Sequence, residues 1–222
     1  MLVSRDETAL TELVRELSRE AKDGVAHTVA DVGDRKQLQA AADAAIRRFG
    51  GFDTWINNAG VSIYGRCADV PLDEQRKLFD TNFWGVVHGS LIAVQHLREK
   101  GGALINLGSE LSDVAIPLQG AYMASKHAVK GYTDALRIEL ANEGAPVSVM
   151  LVKPAGVDTL FVEHAKNHLD QQPKLPPPVY APNVVARAIL HAAVRHAISM
   201  QAAHRAAWHG SDARCRASTM PY

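Results

Sequence analysis

The sequence lacks the features that mark nucleic-acid-binding, membrane-spanning and secreted proteins. Its 24 basic and 24 acidic side chains cancel, and no run of five or more basic residues offers a nucleic acid or an anionic membrane a charged patch. Apolar runs such as 147–152 are far shorter than the ~20 residues that cross a bilayer. No charged and apolar leader opens the chain, and two cysteines, Cys67 and Cys215, are too few for a disulfide framework. We therefore expect a cytoplasmic protein with reduced cysteines and no nucleic-acid or membrane partner.

The ten histidines do not form a recognisable metal-binding pattern. His164 and His168 are four residues apart and can share a helix face. The neighbouring acid, Glu163, precedes His164, which departs from the His-Glu-x-x-His pattern of zinc enzymes. We therefore expect no metal site.

Three residues form a candidate acid/base site: Ser109, Tyr122 and Lys126. On a helix, residues four apart share a face, so the Lys126 ammonium is expected beside the Tyr122 phenol. A phenol titrates near pH ~10, and a nearby positive charge lowers its pKa. Ser109 stands at a predicted strand end, where its hydroxyl can hold a carbonyl or alcohol oxygen beside the phenol. The set predicts oxidation of an alcohol or reduction of a ketone.

Apolar strands alternate with amphipathic helices along the chain. The pattern predicts strands at 25–30, 54–56, 103–107 and 147–152, and helices after a capping box at Ser4–Glu7, after Asp34, and over 72–99, 120–142 and 181–198. This alternation predicts an α/β fold with a parallel sheet that is covered by helices on both faces. We expect one domain over residues 1–198 and an irregular or disordered tail over residues 199–222.

Further segments accompany the acid/base set. They are Asn57-Asn58-Ala59-Gly60 after a short apolar run, Asn82 within Thr81-Asn82-Phe83-Trp84-Gly85, and Pro154-Ala155-Gly156-Val157-Asp158-Thr159 after another strand. In this order and spacing, the whole set resembles the short-chain dehydrogenase/reductase family. The resemblance extends from about residue 2 to about residue 195. It implies a Rossmann-like, doubly wound parallel sheet and an oxidoreductase that uses a nicotinamide cofactor.

The resemblance implies a role for each of four catalytic residues. Tyr122 is the general acid/base, and Lys126 lowers its pKa and hydrogen-bonds the nicotinamide ribose. Ser109 orients the substrate oxygen. Asn82 sits at a local kink of its helix and holds a water that leads protons to Lys126.

The resemblance also implies a set of cofactor-binding residues. Asp31 and Val32 follow a strand and are placed at the adenine ring. Asn57, Ala59 and Gly60 line the adenosine side, while Tyr122 and Lys126 face the nicotinamide ribose. The nicotinamide itself is held by the segment that contains Pro154, Gly156, Val157 and Thr159. Residues 160–180, rich in proline, form a lid over the substrate in the family and can equally be read as a stiff linker.

Arg5 bears on the choice of cofactor. A carboxylate at this strand end binds the ribose 2′-hydroxyl of NAD, whereas an arginine suits the 2′-phosphate of NADP. Here Ser4 takes the position and Arg5 follows it. A guanidinium can hold a phosphate with two hydrogen bonds. We therefore expect NADP, with NAD the less favoured cofactor.

Both ends of the chain depart from the family. The family's first strand and its Thr-Gly-x-x-x-Gly-x-Gly turn have no counterpart before Asn57, and Leu2–Arg5 looks like the end of the family's second strand. We therefore expect a chain that is truncated at the N-terminus relative to the family. After the helix at 181–198, the stretch from Ala202 to Arg216 lacks strand alternation. A disordered tail and a shifted reading frame both account for it.

The sequence therefore predicts an NADP-dependent oxidoreductase that interconverts an alcohol and a ketone or aldehyde. Its expected partners are a small-molecule alcohol or carbonyl substrate and further copies of itself, in a homodimer or homotetramer that uses the helices at 72–99 and 120–142. One alternative is a truncated, non-catalytic family member that acts at most through oligomer contacts. Sugar epimerases share Tyr-x-x-x-Lys, but this chain is too short for the substrate domain of that group.

Overall fold

The computed structural model describes residues 1–21, 24–195 and 200–202. Helices and strands alternate along these residues. The helices are α1 (Glu7–Leu17), α2 (Arg35–Phe49), α3 (Leu72–Phe79), α4 (Gly85–Lys100), α5 (Gly120–Asn142) and α6 (Pro182–Arg195). The strands are β1 (Leu2–Ser4), β2 (His27–Val29), β3 (Thr54–Asn57), β4 (Ile63–Tyr64), β5 (Gly102–Leu107), β6 (Val147–Pro154), β7 (Gly156–Val157), β8 (Lys166–Asn167), β9 (Val179–Tyr180) and β10 (Met200–Ala202).

The main sheet has the strand order β10–β6–β5–β3, and every neighbouring pair is parallel. Successive side chains of a strand point to opposite faces. Leu104 accordingly packs with α4 and α5 on one face, and Ile105 packs with α6 on the other. Helices on both faces explain why β5 and β6 are apolar almost throughout. The predicted parallel, doubly wound α/β sheet is confirmed.

The sheet is interrupted between β1 and β3. Within the part of the chain that the structure describes, β1 pairs only with β2, and β3 pairs only with β5. Residues of β1 and β3 line one cavity of about 1850 Å³, and Ile56 in β3 keeps 45% of its surface exposed. Among the described residues, no strand lies between β1 and β3. The prediction of a sheet without the family's first strand agrees with this arrangement.

The single helix predicted over 72–99 is divided into three parts. A π-helical turn, Asp80–Trp84, lies between α3 and α4. Its cause is long-range, because the Asn82 side chain is bonded to the backbone of Val61 on a distant loop. Directly after the turn, a Cβ on Gly85 would lie 2.6 Å from Val32 Cγ2. The helix can therefore approach the chain after β2 only because glycine stands there.

Two short parallel ladders fix the segment from Gly156 to Tyr180. β7 pairs with β9, and β8 pairs with β4. The Glu74 carboxylate in α3 contacts Lys166 Nζ at 2.6 Å and His168 Nε2 at 2.8 Å. The segment predicted as a lid or a linker is thus held through β8, which pairs with β4, and through β9, which pairs with β7.

Two local predictions require correction. The N-cap of α1 is Asp6, whose Oδ1 accepts from Ala9 N at 2.9 Å. Ser4 does not cap the helix, because it belongs to β1 and pairs with Val29. At the other end, residues 200–202, which we assigned to the tail, form β10 beside β6. Cys215 and the rest of the predicted tail, 203–222, lie outside the described residues.

Within the described residues, no helix combines the length and the apolar character that crossing a bilayer requires. In the same part of the chain, no three His, Cys, Asp or Glu side chains converge on a point where a metal ion could bind. His168, which we weighed as a metal ligand, is instead the partner of Glu74.

Candidate active site

The structure brings Tyr122 and Lys126 together on the buried face of α5. Tyr122 keeps 8% of its surface exposed and Lys126 keeps 5%. Lys126 Nζ lies 5.8 Å from the centroid of the Tyr122 ring. It donates a hydrogen bond of 2.7 Å to the carbonyl of Leu107, the last residue of β5. The helix thus points both side chains at the carboxyl end of the central strands, where parallel sheets commonly bind ligands.

Ser109 lies next to this pair. It follows β5 and caps a short 3-10 helix, Glu110–Ser112, by accepting from Leu111 N at 3.1 Å. Ser112 returns the contact, since its hydroxyl oxygen accepts from Ser109 N at 3.1 Å. The Ser109 side chain also hydrogen-bonds the Tyr122 phenol. The predicted acid/base set therefore forms one cluster.

The electrostatics of the cluster differ from the prediction. Burial raises the pKa of Tyr122 to about 12, and the Ser109 hydrogen bond only partly offsets it. Burial also lowers the pKa of Lys126 to about 8. The net shift is thus opposite to the one that a nearby positive charge alone would give, because desolvation of the phenolate outweighs the effects that lower the pKa. The predicted effect of Lys126 on the phenol stays a prediction. At neutral pH the phenol is protonated and can donate.

Asn82 lies at the kink that was predicted for it, and its side chain is fully buried. Its Oδ1 accepts from Val61 N at 2.8 Å. Its Nδ2 donates to Val61 O at 2.9 Å and to Ser125 Oγ at 3.1 Å. These contacts fasten the loop after β3 to α5, one turn from the Tyr122–Lys126 pair. The structure therefore shows Asn82 as a positioning residue, and its predicted link to Lys126 stays a prediction.

At one end of the cavity lie the residues predicted for the adenosine. Arg5 Nη1 is 3.7 Å from Asp31 Oδ2, and both side chains are exposed. A carboxylate therefore stands beside the arginine that is predicted to select NADP. The other oxygen of Asp31 accepts from Gly33 N at 2.9 Å and so fixes the carboxylate. Val32 packs on Gly85 and also lines the cavity.

The loop after β3 forms the next part of the cavity wall, with Asn57, Ala59 and Gly60. The side chain of Asn57 points away from the cavity, because it bonds Trp55 Nε1 at 2.8 Å and Asn106 Oδ1 at 2.8 Å. Gly60 is close to the acid/base cluster, since a Cβ there would lie 3.7 Å from Lys126 Nζ. Asn57 therefore shapes the loop, while Ala59 and Gly60 offer backbone to a ligand.

At the opposite end lie the residues predicted for the nicotinamide. Pro154 ends β6, and Gly156, Val157 and Thr159 follow it along the same cavity wall. β7 holds Gly156 and Val157 against β9. The resembling family usually has glycine directly after this proline, whereas here Ala155 stands between Pro154 and Gly156. The segment nevertheless lines the cavity.

One continuous cavity joins these regions, and a nicotinamide dinucleotide fits it in part. Both ends carry residues of the expected chemistry: Arg5 and a backbone loop at one, the Tyr122–Lys126 pair and the segment 154–159 at the other. A dinucleotide also carries a pyrophosphate, which commonly rests on a glycine-rich turn that opens a helix. The described residues before Asn57 supply no such turn.

Sequence reasoning missed several buried polar residues around the cluster. Asn106 lies mid-strand in β5 and is fully buried, with Nδ2 donating to Thr133 Oγ1 at 3.0 Å. Tyr64 and Gln119 line the cavity beside Tyr122. The only sequence signal was a polar residue within an apolar run, as at Asn106. Nothing in the sequence pairs Tyr64 with Gln119, since they are far apart along the chain.

Comparison with known proteins gives a consistent picture. The sequence matches a family model described as short chain dehydrogenase over residues 1–170. It is 45% identical over 193 residues to the uncharacterized oxidoreductase YxnA of Bacillus subtilis strain 168, covering 86% of this chain and 54% of that protein. It is 34% identical over 164 residues to the dehydrogenase/reductase SDR family member 7B of Mus musculus, covering 72% of this chain and 50% of that protein. The chain thus spans about half the length of these curated relatives.

Solved structures share the fold. A short-chain dehydrogenase/reductase from Burkholderia phymatum, in complex with NAD, superimposes with a TM-score of 0.83 at 27% identity, covering 92% of this chain and 79% of that one. An alcohol dehydrogenase from the archaeon Thermococcus sibiricus, complexed with 5-hydroxy-NADP, gives a TM-score of 0.77 at 22% identity, covering 90% and 83%. The second likeness concerns the fold alone.

Proposed function

Because the chain belongs to the short-chain dehydrogenase family, we propose that it interconverts an alcohol and a ketone or aldehyde with NADP as cofactor. The observation that carries the proposal is the cluster at the end of β5. A protonated phenol, Tyr122, is hydrogen-bonded by Ser109 and lies beside Lys126 on the wall of a large cavity. A phenol held in this way is a proton donor for a carbonyl oxygen.

The proton chemistry follows from the contacts of the phenol. Burial raises the pKa of Tyr122, and the Ser109 hydrogen bond partly offsets it. In the proposed arrangement the serine hydroxyl donates to the phenol oxygen. The phenol keeps its own O–H to donate to the substrate oxygen. When bound, a reduced nicotinamide supplies the hydride for the carbonyl carbon. Tyr122 delivers its proton to the carbonyl oxygen, and the alcohol forms. Oxidation of an alcohol reverses these transfers.

Lys126 acts on the phenolate that remains after proton transfer. Its ammonium is buried beside the ring, and its pKa of about 8 keeps it mostly protonated at neutral pH. A buried negative charge is costly unless a positive charge lies near it. Lys126 therefore stabilises the deprotonated form of Tyr122, and it would also reach the ribose of the cofactor.

The preference for NADP rests on Arg5. The side chain is exposed at the end of β1 and can take a 2′-phosphate with two hydrogen bonds. Asp31 competes for the same guanidinium at 3.7 Å, so the preference is weaker than Arg5 alone would give. The remaining contacts would come from the loop with Ala59 and Gly60 and from the segment 154–159. A location in the cytoplasm stays a prediction.

Substitution of Tyr122 by Phe tests the proposal. General acid/base groups contribute about 10²–10⁴-fold, so we expect Tyr122→Phe to lower ketone-dependent NADPH oxidation by that factor. Tyr132→Phe is the matched control, because it removes a buried phenolic oxygen from the same helix. That oxygen has no hydrogen-bond partner among the described residues. It should keep parental activity. A Tyr122→Phe variant with near-parental turnover would refute the assignment, and the same assay with NADH measures the cofactor preference.

The interrupted sheet favours a second candidate, a family member that binds the cofactor weakly and acts at most through oligomer contacts. The pyrophosphate would need backbone donors that the described residues before Asn57 do not supply. Calorimetry with NADPH on the 222-residue chain separates the two. Low-micromolar binding at one site per chain supports the enzyme, and the absence of binding supports the second candidate.

A further inference from the structure

A second phenol, Tyr64, lies on the wall of the cavity, and the proposed mechanism does not use it. Tyr64 ends β4 and keeps 7% of its surface exposed. It is close enough to Tyr122 that its charge would raise the pKa of that phenol. Two phenols on one wall can reach two oxygens of the same small molecule.

The hydroxyl of Tyr64 is arranged to donate. The Gln119 side chain hydrogen-bonds the phenol and lowers its pKa, against the larger effect of burial, which raises it. The Nε2 group of Gln119 carries two N–H donors, so it can donate to the phenol oxygen. The same Nε2 donates to Ser62 Oγ at 3.0 Å, which fixes the amide. Among the described residues, no hydrogen bond is found in which the Tyr64 hydroxyl is the donor, so its one O–H is left for another acceptor.

The backbone around this pair is held from two sides. Gly65 N donates to Leu118 O at 2.9 Å, and His168 N donates to Tyr64 O at 2.8 Å. Leu118 has φ 69°, in the left-handed region that a leucine rarely adopts. Such strain persists only where surrounding contacts require it, and it occurs often at ligand sites. Here it sets the course of the chain that carries Gln119.

The surroundings of the two phenols are mainly apolar. Tyr122 packs in a cluster with Ile63, Val70 and Leu78, and its ring is 5.8 Å from that of Phe161. A polar side chain with an available donor is unusual in such a wall, because a buried donor without an acceptor costs free energy. An acceptor on the bound substrate would remove that cost.

We propose that the Tyr64 hydroxyl donates a hydrogen bond to a second oxygen of the substrate, so that this site prefers uncharged ketones with another oxygen acceptor near the reacting carbonyl. The inference rests on the proposed function for the identity of the first oxygen. Tyr64 is then a specificity-determining residue, and Gln119 is the positioning residue that orients its phenol.

The test compares a vicinal diketone, 2,3-hexanedione, with the matched monoketone, 3-hexanone. The parent should reduce the diketone with the higher kcat/KM. One neutral hydrogen bond corresponds to about 3- to 10-fold, so Tyr64→Phe should lower kcat/KM for the diketone by that factor and leave the monoketone unchanged. The greater intrinsic reactivity of the diketone cancels, because each variant is compared with the parent on the same substrate. An equal loss on both substrates, or no loss on either, overturns the proposal.

A second variant and a second readout complete the design. Gln119→Met removes the amide that orients Tyr64 and should lower the diketone preference in the same direction, even if Tyr64→Phe folds poorly. Calorimetric binding of both ketones needs no turnover, so it separates the two proposals. If the parent reduces no ketone, the proposed function fails, while tighter diketone binding that Tyr64→Phe abolishes still supports the second subsite. Equal binding of both ketones by the parent overturns it.

Discussion

At the scale of single residues, the burial of Lys126 that its proposed role requires lowers the stability of the folded protein. Its pKa is about 8 in the folded protein, against 10.5 for an ordinary lysine. Between these values the unfolded chain holds a proton that the folded chain has lost, so stability rises with pH. Above pH ~10 the trend reverses, because the folded state keeps the proton of Tyr122, whose pKa is about 12. The effect of Lys126 on stability should therefore be measured between pH 8 and 10.

We predict that Lys126→Met removes this pH dependence. In the parent, the free energy of unfolding should increase by about 2 kcal/mol between pH 8 and 10. The whole pKa shift of Lys126 corresponds to about 3 kcal/mol, and this pH range covers part of it. Urea unfolding at several pH values measures it. Lys130→Met is the control, since Lys130 pairs with Asp134 at 3.1 Å and is only partly buried. A flat profile in the parent, or an unchanged slope in Lys126→Met, would contradict the prediction.

Single residues also show what the sequence can reveal about the site. The spacing of Tyr122 and Lys126 on one helix is local, and the structure does bring them together with Ser109. The pKa of Tyr122 is not local, because it depends on how deeply the ring is buried among Ile63, Val70 and Phe161. The contacts of Asn57 and Asn106 across β3 and β5 likewise exist only once the strands pair.

At the scale of secondary-structure elements, α3 and β8 are joined by one carboxylate. Glu74 contacts Lys166 and His168, and these hydrogen bonds hold the Glu74 pKa below its ordinary value, Lys166 more than His168. Because the folded pKa is lowered, this stabilising contact is present above the ordinary carboxyl pKa. It is lost as pH falls through the lowered value.

We predict that Glu74→Gln frees the segment 160–180 for cleavage. Limited trypsin digestion at neutral pH should cut after Lys174 faster in the variant than in the parent. Asp73→Asn is the matched control, since Asp73 pairs with Lys77 of the same helix at 3.4 Å and with no other side chain that the structure describes. Equal cleavage rates in Glu74→Gln and Asp73→Asn would show that this contact does not fasten the segment.

Element boundaries followed from the sequence wherever local signals set them. The bounds of α5 are those predicted, and the apolar runs of β5 and β6 extend the predicted strands by one or two residues. The break between α3 and α4 was not predictable, because Asn82 bends the helix by bonding to Val61 on another element. The cap of α1 moved to Asp6 because Ser4 pairs in β1.

At the scale of the whole molecule, the π-helical turn at 80–84, α4 and α5 present exposed apolar side chains. Trp84, Leu91 and Ile138 keep 48%, 44% and 57% of their surfaces exposed. Val129 and Leu136, on the same helix as Ile138, are buried. We still propose that α4 and α5 form the contact of a homodimer or homotetramer, through these three residues.

We predict that the double variant Leu91→Lys, Ile138→Lys is monomeric. Two buried charges at a contact are costly, so the association should weaken beyond micromolar concentrations. Light scattering of the parent and the variant measures the mass. Leu190→Lys in α6 is the control, because Leu190 is also exposed but lies on another helix. A monomeric parent, or dissociation by Leu190→Lys alone, would contradict the proposal.

The gap between β1 and β3 also leads us to predict two cooperative units. β1 and β2 hydrogen-bond to each other, as from Leu2 N to Ala26 O at 2.8 Å, and to no other strand of the described residues. The packing of α2 on Ile92 of α4 joins them to the rest. We predict that backbone amides of β2 exchange with deuterium through openings of lower free energy than those of β5 and β6. Uniform protection would contradict this. If the amides of β2 do open first, we expect unfolding in two steps, which a single melting temperature would not describe.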